Sequence, residues 1–266
     1  MTLPQLRGLS RTRLVPPALL VLASLALSAC DGSEDDGTEE AVISIDFDGA
    51  RDGDLSGVDN AGTAEVEVEA AGNVDALTTE EGLDGVALRF PEYGDPGPPV
   101  IATITAEDAG TLNPGAKPFI IGADLMIDER NEGSDVDDGN NVLQHGLFSD
   151  TSQYKLQVDR DRASCRIEGS AGAVVVNDEA ALEPDVWYHV ECRREADEVV
   201  LTVESLDPDV TYESEVSLGG ETGSVAASTA APVVIGGKLG ANDEIVTSNT
   251  DQFNGALDHI FLTIVR

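Results

Sequence analysis

From Ala41 onward apolar and polar residues take turns. Ile43, Ile45 and Phe47 alternate with Ser44, Asp46 and Asp48, a period of two that puts one set on each face of a strand. Short runs of the same kind recur at Val86–Phe90, Val100–Thr105, Phe119–Ile127, Tyr154–Val158, Trp187–Arg193, Val199–Val203 and Ile260–Val265. β-Branched residues are frequent inside these runs, and clusters of Gly, Asp, Asn or Pro separate them. Only Glu107–Leu112 and Asn73–Glu81 suit a short helical turn. Many short strands at this spacing predict an all-β fold, an antiparallel two-sheet β-sandwich or a barrel. Neither a repeat nor a change of composition interrupts residues 41–266, which read as one domain.

Residues 1–29 follow a different pattern. Arg7, Arg11 and Arg13 precede an almost wholly apolar run, Leu14–Leu27, that ends in the small residues Ser28 and Ala29. This is the layout of a secretory signal peptide, too short and too poorly flanked to be a stable membrane span. The sequence Leu27-Ser28-Ala29-Cys30 resembles the bacterial lipobox. That resemblance implies that Cys30 becomes the mature N-terminus with a diacylglycerol on its sulfur; plain cleavage beside an incidental Cys is the alternative. Residues 30–40 are acidic and lack large apolar side chains, which suits a solvated tether. The expected location is therefore outside the cytoplasm, on a membrane through Cys30.

Charge narrows the partners. With 15 basic and 51 acidic residues the formal net charge is −36, and three of the basic residues fall in the leader. Such a surface repels nucleic acid and anionic head groups. It suits a saline environment or the binding of cations. Cysteine occurs at Cys30, Cys165 and Cys192. Once Cys30 is assigned to the lipid, the other two form an even pair in an exported protein, where a disulfide is the default. A loop of about 28 residues closed this way adds about 3.5 kcal/mol in the chain-entropy treatment.

About residues 117–266 carry a family resemblance. Glu183-Pro-Asp-Val-Trp187-Tyr188-His189-Val190, the following strand Val199–Val203, Pro232-Val-Val-Ile-Gly-Gly237 and Phe253-Asn-Gly255-Ala-Leu-Asp258-His-Ile260 appear in order. Together they resemble the concanavalin A-like, laminin G-like jelly-roll superfamily. The resemblance implies a two-sheet jelly roll, Cys165 and Cys192 stapling neighbouring strands, and a surface-displayed binding module for a glycan or a protein. It further implies a structural calcium ion where the first strand meets the last, with Asp258 and either or both of Asp46 and Asp48 among the ligands. Trp187 and Val190 are expected in the core, and Gly236, Gly237 and Gly255 at turns or close approaches. Glu204–Asp209 makes a longer loop than the family's Asp-Gly turn, on the side where ligands bind.

Catalytic sets are hard to assemble. Glu65, Glu67 and Glu69 alternate as in the acidic strand of jelly-roll glucanases, but a retaining glycosidase needs two carboxyls about 5 Å apart in a cleft, and an outward charged face is the simpler reading. His145, His189 and His259 have no metal-ligand spacing in sequence, and His145 reads as an ordinary surface or strand histidine. Asn131–Asn141 is rich in oxygen ligands but lacks the alternate spacing of a calcium loop, and reads as an acidic hairpin loop. The expectation is a non-catalytic binding module, with a purely structural or adhesive envelope protein as the alternative.

Overall fold

The computed structural model describes residues 38–93, 99–129, 139–147, 150–228, 231–242 and 244–266. Fifteen strands are distributed over two antiparallel sheets. The first sheet has the order β13-β12-β11-β6-β15-β4-β3, and β1 pairs with β15 as well. Its members are β1 (Glu39–Ile45), β3 (Thr78–Glu81), β4 (Val86–Arg89), β6 (Phe119–Ile127), β11 (Trp187–Arg194), β12 (Glu198–Ser205), β13 (Glu213–Gly219) and β15 (Gly255–Val265). The second sheet runs β10-β9-β8-β7-β14-β5-β2. It comprises β2 (Val66–Gly72), β5 (Val100–Ala106), β7 (Gly139–His145), β8 (Gln153–Asp159), β9 (Arg162–Gly169), β10 (Gly172–Asn177) and β14 (Val233–Ile235).

The alternation seen in the sequence decides which side chains meet between the sheets. In β6, Phe119, Ile121, Ala123, Leu125 and Ile127 point inward; in β8, Tyr154, Leu156 and Val158 do so. Phe119 and Tyr154 touch across the sandwich, their ring centres 5.7 Å apart. Each large side chain buried this way stabilises the fold by roughly 1.5–3 kcal/mol. Cys165 of β9 and Cys192 of β11 form a disulfide with Cα atoms 6.2 Å apart. The bond joins the two sheets through the core rather than stapling neighbours in one sheet, because both cysteines occupy inward positions of their strands.

One expectation about the core needs correction. In β11 the buried positions are Tyr188, Val190, Cys192 and Arg194, so Trp187 lies with His189 on the outer face. Strict alternation cannot bury Trp187 and Val190 together, and Tyr188 takes the core position. The short helical turn expected in Asn73–Glu81 is present as a 3₁₀ turn at Val74–Ala76, before β3 pairs with β4. The second expected turn is present at Ala109–Leu112. Of the two readings of His145, the strand histidine holds: it is fully buried on β7, its ring between Pro232 O and Asn113 Oδ1, both 3.3 Å away. Gly236 has φ +78°, and a Cβ there would overlap the Phe90 ring. No helix among the described residues is long and apolar enough to cross a membrane. Cys30, the leader and most of the tether lie outside the described residues, as does most of the Asn131–Asn141 stretch.

Candidate functional site

The outer face of the seven-stranded sheet holds a groove of about 580 Å³. Its floor consists of the outward positions of three strands: Gln144 on β7, Gln153, Lys155 and Gln157 on β8, and Ser164 and Arg166 on β9. One wall is the segment Lys238–Ala241 together with Val246 and Asp251. A smaller cleft of about 290 Å³ adjoins it around Leu147, Pro232 and Leu239.

The groove's charge is unlike the rest of the chain. Two of the three lysines, Lys155 and Lys238, line it with Arg166. Asp251 lies between the lysines, 2.8 Å from Lys238 Nζ and 3.6 Å from Lys155 Nζ, and Glu168 meets Arg166 at 2.5 Å. Asp251 adopts φ +47°, a left-handed conformation tolerable for Asp, and its carbonyl accepts the Asn141 N–H at 2.9 Å. Burial lowers the pKa of Lys155, and Asp251 opposes the effect. Among the described lining residues, Lys155, Arg166 and Lys238 thus accompany the one carboxylate of Asp251, in a chain whose net charge is −36.

The amides add directional groups. Gln144 and Gln153 both donate to Gly146 O, at 2.7 and 3.1 Å, which fixes their side chains. Gln144 Oε1 accepts from Asn141 Nδ2 at 2.8 Å. Gln153 is almost fully buried, and its Oε1 has no hydrogen-bond partner. A buried acceptor without a donor is costly, and water or a ligand hydroxyl would satisfy it. Among the described residues lining the groove, none is aromatic.

A second constellation sits on the outer face of the eight-stranded sheet. In register, His189 of β11 and Asp258 of β15 flank Asp124 of β6. His189 Nδ1–H donates to Asp124 Oδ1 at 2.6 Å, and His259 Nδ1 lies 3.7 Å from Asp124 Oδ2. Between Asp258 and Phe261 the β6–β15 register slips, and His259 has φ +45°. This bulge is why Asp258, His259 and Phe261 all miss the core while Leu257 and Ile260 fill it. Phe261 stacks on His189, with centroids 5.7 Å apart and planes 6° apart, and its ring occupies the space that a Cβ on Gly122 would take.

The electrostatics follow from that packing. The hydrogen bond to Asp124 raises His189, and the same carboxylate raises His259. Burial pushes Asp124 up, but the two histidines outweigh it and leave it below the usual carboxylate range. Burial, Asp46 and Asp124 push Asp258 up to about 6, against hydrogen bonds from the His259 and Phe47 N–H groups.

The three carboxylates expected from the sequence lie around the start of β15 and the β3–β4 turn, where Asp258 Oδ2 borders Gly82 and Asp48 Oδ1 borders Gly85. Asp46 and Asp258 lie close enough to interact, whereas Asp48 Oδ1 accepts the Val86 N–H at 2.9 Å in the β3–β4 turn. Glu67 and Glu69 are exposed on β2, an edge strand, and line a shallow depression with Asp54 and Asp59. Glu65 belongs to a different depression, beside Glu107. Glu65 and Glu69, the pair a glucanase-like mechanism would need, therefore line different depressions.

No family model matches the sequence, and no curated protein matches it. Solved structures do match. The binding domain of Paraclostridial Mosquitocidal Protein 1 aligns with TM-score 0.54 at 12% identity, over 85% of this chain and 49% of that one. Tailspike protein 2 of an Escherichia coli O157:H7 bacteriophage aligns with TM-score 0.51 at 12% identity, over 77% of this chain and 26% of that one. At these identities the likeness shows the fold alone, a two-sheet antiparallel β-sandwich. The LG1-3 region of the laminin alpha2 chain also matches, with TM-score 0.44 at 14% identity, over 55% of this chain and 28% of that one. The chain thus spans about half the length of the toxin domain it resembles.

Proposed function

We propose that the protein is a lipid-anchored binding module, held outside the cytoplasm through Cys30, that takes an acidic glycan chain in the groove of the seven-stranded sheet. One observation carries the reading: Lys155, Arg166 and Lys238 gather in a single groove with Gln144, Gln153, Gln157 and Ser164. Cations attract carboxylates, and amides and hydroxyls match the many hydroxyls of a sugar. The described lining residues offer hydrogen bonds and charge rather than aromatic stacking. The toxin match supports the reading as a fold used elsewhere for binding.

Calorimetric titration with oligogalacturonate and with its methyl ester tests it. The free acid is expected to bind more tightly, with affinity that falls as salt rises. Equal binding of acid and ester, or binding of neither, contradicts the proposal. For the anchor, Cys30→Ala is expected to move the protein from the membrane fraction to the soluble one. Retention in the membrane overturns that part.

A further inference from the structure

The imidazoles of His189 and His259 approach one carboxylate from two different strands. Neither histidine is needed to fill the core, and neither takes part in the glycan groove. We propose that Asp124, His189 and His259 form a binding site for a late first-row divalent transition-metal ion such as Zn²⁺.

Distance comes first. One ligand atom from each residue lies within 4.8 Å of the others. Tetrahedral zinc with ligands at 2.0–2.1 Å separates them by about 3.3 Å. His189 Nδ1 lies 2.6 Å from Asp124 Oδ1 and His259 Nδ1 3.7 Å from Oδ2, so side-chain rotation that opens the hydrogen bond admits an ion among the three. Chemistry comes second. Two imidazole nitrogens and one carboxylate oxygen suit zinc, nickel or copper, whereas calcium wants six to eight oxygens.

Support around the ligands is specific. Phe261 holds the His189 ring against its flat face, and Gly122 leaves the space for Phe261. The bulge turns His259 outward at a backbone conformation that is uncommon for a residue with a side chain. Asp46 and Asp258 add negative charge beside His259. The side chains are 28%, 18% and 41% exposed for His189, Asp124 and His259, so an ion reaches them from solvent and keeps at least one position open.

Untagged, chelator-treated protein is titrated with Zn²⁺ and, separately, with Ca²⁺, by calorimetry and by NMR of the histidine rings. The expected result is one Zn²⁺ per chain, with two of the three ring signals shifting and that of the buried His145 unmoved. Ca²⁺ leaves all three in place. The double variant His189→Asn, His259→Asn is expected to weaken Zn²⁺ by more than about tenfold. Absence of saturable Zn²⁺ binding, unmoved rings, or Ca²⁺ moving the same two rings at equal or higher affinity overturns the site. Unchanged affinity in a folded double variant does so as well. Where that variant does not fold, the ring signals of the unaltered protein decide.

Discussion

The outward positions of β8 are Gln153, Lys155 and Gln157; those of β6 include Gly122, Asp124 and Met126, with Trp187 and His189 beside them on β11. Both rows face away from the same core, and both are only partly exposed. One gathers cations and amides under a covering loop; the other gathers imidazoles, a phenyl ring and carboxylates at a bulge. Inward positions are interchangeable apolar residues that specify a sandwich. The outward half of each strand is free to vary, and there the two sheets diverge. In a chain this acidic, Asp and Glu are the default outward residues, so a patch without that default marks a site.

Four perturbations break or sharpen the contrast. The largest effect is expected from removing the tie between the sheets. Cys165→Ala with Cys192→Ala is predicted to lower stability by about 3.5 kcal/mol, read as a fall in unfolding midpoint, and to weaken both faces together. Next, Lys155→Gln with Arg166→Gln is predicted to cost about 3 kcal/mol of acidic-glycan binding, more than about a hundredfold, while Zn²⁺ affinity stays unchanged. Calorimetry on the double variant measures both.

Gly122→Ala attacks the other face. Its new methyl overlaps the Phe261 ring and the Val190 carbonyl, so a loss of about 1–3 kcal/mol in denaturant unfolding is predicted, with glycan affinity retained. The smallest effect concerns pH. Asp258 has a folded pKa of about 6, above its ordinary value. Its protonated form is therefore favoured by folding, and the associated stability is present below about pH 4 and lost as pH rises through 6. His189 and His259, raised by Asp124, add a loss that begins near pH 6.5 and is completed above it. With chelator present, stability is predicted to fall between pH 4 and 8, first through Asp258 and then through the two histidines. Asp258→Asn should flatten the lower part of that slope.

The sequence made some of this legible and hid the rest for definable reasons. Period-two runs located most of the central strands, and the even cysteine count identified the disulfide, because both depend on local pattern or simple counting. Which strands the bond joins was not legible, since that requires knowing that β9 and β11 belong to different sheets. Gln153-Tyr154-Lys155-Leu156-Gln157 already showed three non-acidic polar residues on one face of a strand. That they meet Arg166 and Lys238 depends on the β8–β9 register and on the fold of the covering loop. The imidazole cluster was less accessible still. His189 is 65 positions from Asp124, and the bulge at His259 breaks the alternation that would have placed it. Among the expected calcium ligands, Asp46 and Asp48 follow the end of β1, and Asp48 and Asp258 both approach the β3–β4 turn, at Gly85 and Gly82.

The claim that a glycan occupies the seven-stranded sheet is tested most directly by mapping backbone amide shifts as oligogalacturonate is added. The account predicts saturable shifts confined to β7, β8, β9 and the segment 238–251, absent with the methyl ester. Shifts centred on β6, β11 and β15, or no saturable shift anywhere, would contradict it.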